Sequence, residues 1–379
     1  MKENNKMATE VELKLTLSPH YVESLKLHPF FRSEQIKELG CQQLKNTYYD
    51  TPDQLLTQHR VALRIREKGD KLIQTLKSSG TSEAGLHTRQ EWEWLLKKPE
   101  LDYDLLQKAE WPKALQNESI QEQIEEVFTT DFQRTIWILD TLDSQGNTLK
   151  AEIALDQGSV RYLDREDPIC ELEIELLEGE GTELVKFAIE LARRIPLYIS
   201  DISKAERGYR LHNPEAYSVI RSQPELDKQE TLENIFVQLL ANELSLWPRL
   251  FEAWHFNRDW NNIHQALESL RNIDALYESF SEIIPAEPDG VISKLLIKLI
   301  RQLRDMDAWR RSAELTGAAD EEWHQKQAAR AAARVDVLLQ TAEPGVLALL
   351  ISEQLIERSW RKRWNEQHQQ QAQQPLQQA

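Results

Sequence analysis

The chain has 379 residues, enough for two domains, and a formal net charge of −17. That charge argues against a general nucleic-acid or anionic-membrane binder, so a polyanionic substrate has to be held by a local basic cluster against the overall field. Two cysteines, Cys41 and Cys170, exclude a disulfide framework and fit a reducing, cytoplasmic compartment, and the sequence shows neither an apolar signal core nor a run long enough to span a bilayer.

Glu10-Val11-Glu12-Leu13-Lys14 alternates charged and apolar residues, and the pattern continues through Leu15 and Leu17. This is the period of a strand, so 9–17 is the first strand, with Glu10, Glu12 and Lys14 on one face. Residues 20–38 read as short helices opened by Ser18-Pro19. Residues 44–50 form a strand closed by Asp50-Thr51-Pro52-Asp53, a turn in which proline fixes φ and the aspartates bond nearby backbone. Residues 60–67 alternate again, with Arg64 and Arg66 on one face. Gly69-Asp70 signals a hairpin, and 71–77 returns with Thr75 and Lys77 on one side. Residues 88–96 set Arg89, Glu91 and Glu93 against Trp92 and Trp94.

Residues 100–127 look helical. The strand 132–139 carries Arg134, and in 150–156 Glu152 and Asp156 face one way. Gly158 is read as turning the chain, with 160–163 as a short partner strand. Glu171, Glu173 and Glu175 then share a face opposite three aliphatics. Residues 182–195 have helical period, and Ser203 caps a helix that opens on Lys204 and includes Arg207. After about residue 220 strand pattern stops. Helices are expected at 229–254, 260–283, 290–316, 319–341 and 346–366, punctuated by proline and glycine. Residues 367–379 are nearly all glutamine and are expected to be a disordered tail.

The charged faces do not mix signs at random. Early strands contribute mostly base (Arg64, Arg66, Lys77, Arg89) and late strands mostly acid (Glu152, Asp156, Glu171, Glu173, Glu175). Three glutamates at i, i+2 and i+4 repel one another unless something positive sits among them. A divalent metal is the economical answer, since hard cations take carboxylate oxygens, and phosphate suits the arginines and lysines. The aliphatic faces must be covered, so the expected architecture is α+β: a closed β tunnel, charged inside, with helices packed outside. The lumen suits a linear polyphosphate plus metal.

At this point the sequence resembles a known family. Glu10-Val11-Glu12-Leu13-Lys14 matches the ExExK motif of the CYTH superfamily, the triphosphate tunnel metalloenzymes. Tyr48-Tyr49-Asp50-Thr51-Pro52, Leu63-Arg64-Ile65-Arg66, Thr75-Leu76-Lys77, the segment 152–158, the run 171–176 and Ser203-Lys204-Ala205-Glu206-Arg207 follow in family order. The resemblance covers about residues 7–212. It implies an eight-stranded antiparallel tunnel that binds a triphosphate and Mg²⁺ or Mn²⁺. It implies metal ligands among Glu10, Glu12, Glu152, Asp156, Glu171, Glu173 and Glu175. Some members carry an acid where Ala154 stands here, which leaves Glu152 or Asp156 as the third-strand ligand. Arg64, Arg66, Lys77, Arg89, Arg134, Lys204 and Arg207 are the expected substrate ligands, and Lys14 contacts the scissile region. Either Tyr48 or Tyr49 could assist Lys14, while the other points outward and packs.

The helical part resembles the CHAD domain that often follows CYTH, through Ile263-His264-Gln265-Ala266-Leu267-Glu268-Ser269-Leu270-Arg271. The match is degenerate, because arginines usual there are replaced. About 24 acids against about 17 bases after residue 224 disfavour a polyanion receptor. The expected domains are thus a tunnel over 1–215, an all-α CHAD-like bundle over 216–366 that packs on the tunnel, and the tail. Together these features imply an inorganic triphosphatase that cleaves tripolyphosphate to pyrophosphate and phosphate. Thiamine triphosphatase and a class IV type adenylate cyclase share the tunnel. A non-catalytic polyphosphate binder is the reading from another class, and the retained carboxylates argue against it. No P-loop or zinc spacing is present.

Overall fold

Alternation along a strand becomes a wall with two sides, and the chain closes that wall on itself. The structure is a computed structural model that describes residues 6–373 apart from 79, 111, 144 and 317–320. Over residues 1–184 the strands are, in chain order, β1 (Lys6–Leu17), β2 (Ile36–Asp50), β3 (Ala62–Lys68), β4 (Lys71–Lys77), β5 (Thr81–Glu83), β6 (Leu86–Leu96), β7 (Glu125–Leu142), β8 (Thr148–Tyr162) and β9 (Arg165–Glu178). Neighbours run β1-β9-β8-β7-β2-β3-β4-β6, and β6 pairs with β1. Eight antiparallel strands therefore form a closed tunnel with no free edge, and β5 is a short addition on β6.

The apolar faces point outward and are covered. Val61, Leu63, Ile65, Leu76, Trp92 and Trp94 are buried with Leu106 and Leu115 from the following segment. That segment, expected as helix over 100–127, holds two single-turn helices. After α1 (Val22–Lys26) and α2 (Leu55–Gln58) these are α3 (Tyr103–Leu106) and α4 (Glu118–Gln121). Pro99 and Pro112 break any longer helix, and β7 already begins at Glu125.

Several strands are longer than their pattern shows, and β2 and β8 show why. β2 begins at Ile36, within the stretch read as short helices, because a bulge between Glu38 and Gly40 interrupts the alternation. β8 runs straight through Gly158, which was read as a turn; the chain reverses instead at Leu163, where φ is 52°. Gly158 faces Phe132 in register on β7. A Cβ there would lie 2.2 Å from the Asp131 carbonyl oxygen, so the glycine permits a close approach of two strands.

The chain divides into two compact units, 1–184 with 200–217, and 185–199 with 218–379. Helix α5 (Gly181–Ala192) begins in the first and continues in the second, and α6 (Lys204–His212) belongs to the first. Residues 185–199, read with the tunnel domain from sequence, join the helical unit through specific contacts. Tyr198 Oη donates to the Thr341 carbonyl at 3.0 Å, and Lys186 pairs with Glu357 at 2.8 Å. The helical unit continues as α7 (Leu232–Asn257), α8 (Trp260–Ser279), α9 (Val291–Thr316), α10 (Glu322–Leu338), α11 (Glu343–Glu357) and α12 (Trp360–Gln373). The glutamine-rich segment is thus helical as far as Gln373, since glutamine and alanine propagate an existing helix well; residues 374–379 lie outside the described residues. Among the described residues no single helix is long and apolar enough to cross a membrane.

Candidate functional site

Period-two alternation sends one set of side chains from every wall into the lumen. β1 gives Glu10, Glu12 and Lys14. Opposite them in register, β6 gives Arg89 against Glu10 and His87 against Glu12, and β9 gives Glu175 against Glu12 and Glu173 against Lys14. One row of the ladder therefore carries three carboxylates side by side, Glu12, Glu175 and Glu152. Burial, then repulsion from Glu152 and Glu12, pushes the Glu175 carboxyl above the ordinary range.

Two rows further on, Asp156 faces Glu171 across β8 and β9, and Arg134 faces Asp156 across β7 and β8. Asp156, Glu171 and Glu173 offer oxygens that all lie within 4.8 Å of one another. Cations already fill this group. Lys204 Nζ lies 2.7 Å from Asp156 and 3.0 Å from Glu173, and also bonds Glu171. Arg134 grips both Asp156 oxygens at 2.7 Å and reaches Glu173 at 2.5 Å. Against burial, which pushes the other way, Lys204 and Arg134 hold the Glu173 carboxyl well below the usual range. Lys14, only 3 % exposed, sits more loosely at 3.5 Å from Glu173 and 3.9 Å from Glu171.

Lys204 reaches the lumen because α6 comes close to it. Ser203 caps the helix, its Oγ accepting from Glu206 N at 3.1 Å. Gly208 lets the helix rest on the Phe128 ring, which a Cβ would strike at 2.2 Å. Tyr209 Oη donates to Asp50 at 2.7 Å. Asp50 also accepts from the backbone N–H of Thr51 and of Leu56, both at 2.8 Å, the turn role expected of it. Arg207 lies 3.9 Å from Glu171 and 3.7 Å from Asp167.

The opposite wall is the basic one. Lys77 pairs with Glu10 and Glu91, both at 3.1 Å. Burial, partly offset by Lys77, and a shared hydrogen bond with Glu91 push Glu10 up to about 8. Glu91 goes the other way: against its burial, Lys77 and Arg64 pull it down to about 2. Arg64 contacts Tyr48 Oη and Glu91, both at 3.4 Å, and its buried Nε has no partner among the described residues. Arg66 donates to Asn46 at 2.9 Å. Burial, then the neighbouring Arg64 and Arg134, pull its guanidinium down to about 10, the mark of a cation short of negative charge. Tyr48 is the inward tyrosine, stacked on Phe128; Tyr49 points outward and bonds Glu126 at 3.3 Å.

All the lumen positions expected from the sequence lie on this surface or on the facing turn of α6. They fall into separate groups, however, and Asp156, Glu171 and Glu173 are cation-paired. Sequence reading missed Glu91, Asn46 and His87 as site residues. Glu91 was legible as an inward residue between Arg89 and Glu93. His87 was not, because the alternation is apparent only from Thr88, two residues after the strand begins at Leu86. It is 2 % exposed, lies among Arg89, Lys14, Glu12 and Asp201, and its Nε2 has no hydrogen-bond partner among the described residues.

The chain is 36 % identical over 208 residues to the inorganic triphosphatase of Haemophilus influenzae, a match covering 55 % of this chain and 56 % of that protein. The chain thus spans about half the length of that relative. Among solved structures, a Hippeastrum protein described as a candidate adenylyl cyclase with a dominant triphosphatase activity is 20 % identical, with a TM-score of 0.37 over 54 % of this chain and 96 % of that one. A candidate adenylate cyclase from Bacillus halodurans is 26 % identical, with a TM-score of 0.32 over 48 % and 89 %. The model of the CYTH domain matches residues 8–209, the segment that builds the tunnel and its charged lumen, and the chain belongs to the CYTH family.

Proposed function

We propose that this protein is a metal-dependent inorganic triphosphatase, cleaving tripolyphosphate with water to pyrophosphate and phosphate. The observation that carries the reading is the shortage of negative charge around Arg66, next to the unused Nε donor of Arg64, on one wall, facing carboxylates gathered at Glu12, Glu175 and Glu152 on another. A linear polyanion along the basic wall and a cation at the acidic row would satisfy both. The likeness to the Haemophilus triphosphatase supports the inorganic substrate.

Mg²⁺ or Mn²⁺ fits the acidic row, since every donor there is a carboxylate oxygen, and Glu175 is raised by its burial and then by repulsion from Glu152 and Glu12. Glu12, Glu152 and Glu175 would hold the ion, with Glu10 beside them once its proton is lost. Bound there, the cation supplies neutralisation of phosphate oxygens. Asp156, Glu171 and Glu173, whose oxygens converge within 4.8 Å, would take a cation only by displacing Lys204 and Arg134, and we assign them to those two bases. They anchor Lys204 and Arg134, which stay charged and fixed next to the substrate. Arg64, Arg66 and Lys77 bind and orient the phosphates. Lys14 is held by two long contacts only, so it can turn to the bridging oxygen where charge develops.

The test is phosphate release from tripolyphosphate, ATP, thiamine triphosphate and pyrophosphate, each with Mg²⁺ or Mn²⁺. Tripolyphosphate should have the largest kcat/KM and yield pyrophosphate and phosphate in equal amounts. A larger kcat/KM for an organic triphosphate, cyclic AMP formed from ATP, or binding without turnover would overturn the assignment.

A further inference from the structure

We infer that His87 is a further substrate ligand of the tunnel, its imidazole Nε2 hydrogen-bonding a phosphate oxygen of the bound triphosphate. The inference rests on the reading of the lumen as a triphosphate site and adds a residue which neither the ExExK strand nor the arginine pairs point to. Three observations support it. First, His87 lies on the lumen face of β6, in phase with Arg89 and Glu91, and opposite Glu12 in register. Second, it is 2 % exposed with Nε2 unbonded among the described residues, and a buried polar atom without a partner costs about 1–3 kcal/mol unless something supplies one. His324 in the helical unit is also buried without bonded ring nitrogens among the described residues, so it is the open nitrogen together with the charged lumen position that marks His87. Third, the groups around it are Arg89 and Lys14 with Glu12 and Asp201. The two cations draw a phosphate towards the imidazole.

A ligand to the cation is the competing role. It arises because His87 lies opposite Glu12, a member of the acidic row. An oxygen-only donor set suits Mg²⁺ or Mn²⁺ better than an imidazole does.

The experiment uses the full chain as wild type, His87→Gln, His87→Leu and His87→Phe. Gln carries an amide nitrogen at about the reach of Nε2, and Leu and Phe fill the space without a polar atom. Tripolyphosphate binding is measured by calorimetry in excess chelator, kcat and KM are measured with saturating Mg²⁺, and each variant is melted. The expected result for Leu and Phe is a Kd and KM weakened about tenfold or more, with kcat and Tm nearly unchanged. His87→Gln should recover most of that loss. Equal affinity in all four proteins would overturn the inference while leaving the tunnel reading intact. So would a change confined to the Mg²⁺ activation constant, which assigns His87 to the cation. A wild type that neither binds nor cleaves tripolyphosphate would remove the triphosphate reading, and this inference with it.

Discussion

Arg134 and Asp156 face each other in register on β7 and β8 and join through two parallel bonds of 2.7 Å, with the Asp156 side chain fully buried. Breaking one partner of such a pair leaves a charge in the interior without compensation. Asp156→Asn should therefore cost about 3–5 kcal/mol of stability, read as a lower denaturant midpoint at constant slope. A variant as stable as wild type would show that Lys204 and Glu173 take up the charge.

The two acidic groups have separable roles. Glu12→Gln and Glu175→Gln should raise the Mg²⁺ concentration needed for half activity by about tenfold or more while leaving stability nearly unchanged. Glu171→Gln, which removes a ligand of Lys204, should act mainly on stability. Excess chelator should abolish turnover in wild type. Full activity in chelator would exclude metal dependence, and the opposite pattern among the variants would move the cation to the Asp156 group.

Lys14 and Arg66 should separate kinetically. Lys14→Ala removes a contact that tightens as charge moves in the transition state, so kcat should fall about 100-fold with KM little changed. Arg66→Ala removes ground-state binding to phosphate, so KM should rise by about tenfold or more. Steady-state kinetics with the two effects exchanged would refute these assignments.

The limits of the sequence follow from where the information lies. Lys14, Arg64 and Glu173 were legible because each sits in an unbroken alternation with aliphatics between, so their inward direction follows from period two alone. His87 is the second residue of β6, after a turn in which Ala84 and Gly85 both have positive φ; with no alternation before it, its direction was hidden. The pairing of Lys204 with Asp156 was hidden for another reason. The partners are 48 positions apart and meet only because α6 seats on Phe128 through Gly208. Gly158 misled because a glycine allowing close strand approach and one making a turn look alike in sequence.

Glu10 gives the metal-free protein a pH signature. Its pKa rises from 4.5 to about 8 on folding. A raised folded-state pKa means that the folded state binds the proton more tightly. The contribution is complete below about 4.5 and is lost as pH climbs towards 8. In chelator, wild-type stability should fall by a few kcal/mol more than that of Glu10→Gln between pH 5 and about 8. Parallel pH profiles for the two proteins would show that Glu10 is ionised throughout.

The helical unit poses the question of a second polyanion site. A groove of about 640 Å³ there is lined by His264, Arg271, Arg304, Arg310 and Arg311, an arrangement that invites phosphate. Most of these groups are already neutralised within the unit. Arg310 is bonded to Asp307 at 3.0 Å and to Glu314, and His264 Nδ1 lies 3.1 Å from Asp307. Arg271 pairs with Glu268 at 2.5 Å and Arg304 with Asp305 at 3.4 Å. With acids in excess after residue 224, no long-range field draws a polyanion in, and a chain of phosphates would have to displace carboxylates one by one. The unit should therefore act structurally and not as a polyphosphate receptor. The full chain is titrated with long-chain polyphosphate at about 0.15 M salt, where the Debye length is about 8 Å. The comparison is between Arg64→Ala/Arg66→Ala, which disables the tunnel, and Arg304→Glu/Arg311→Glu, which reverses the groove. Binding should vanish in the first and persist in the second. Salt-sensitive binding of about micromolar strength that survives loss of the tunnel arginines and is lost with the groove arginines would show that local clusters outweigh the net charge, and the structural role would have to be given up.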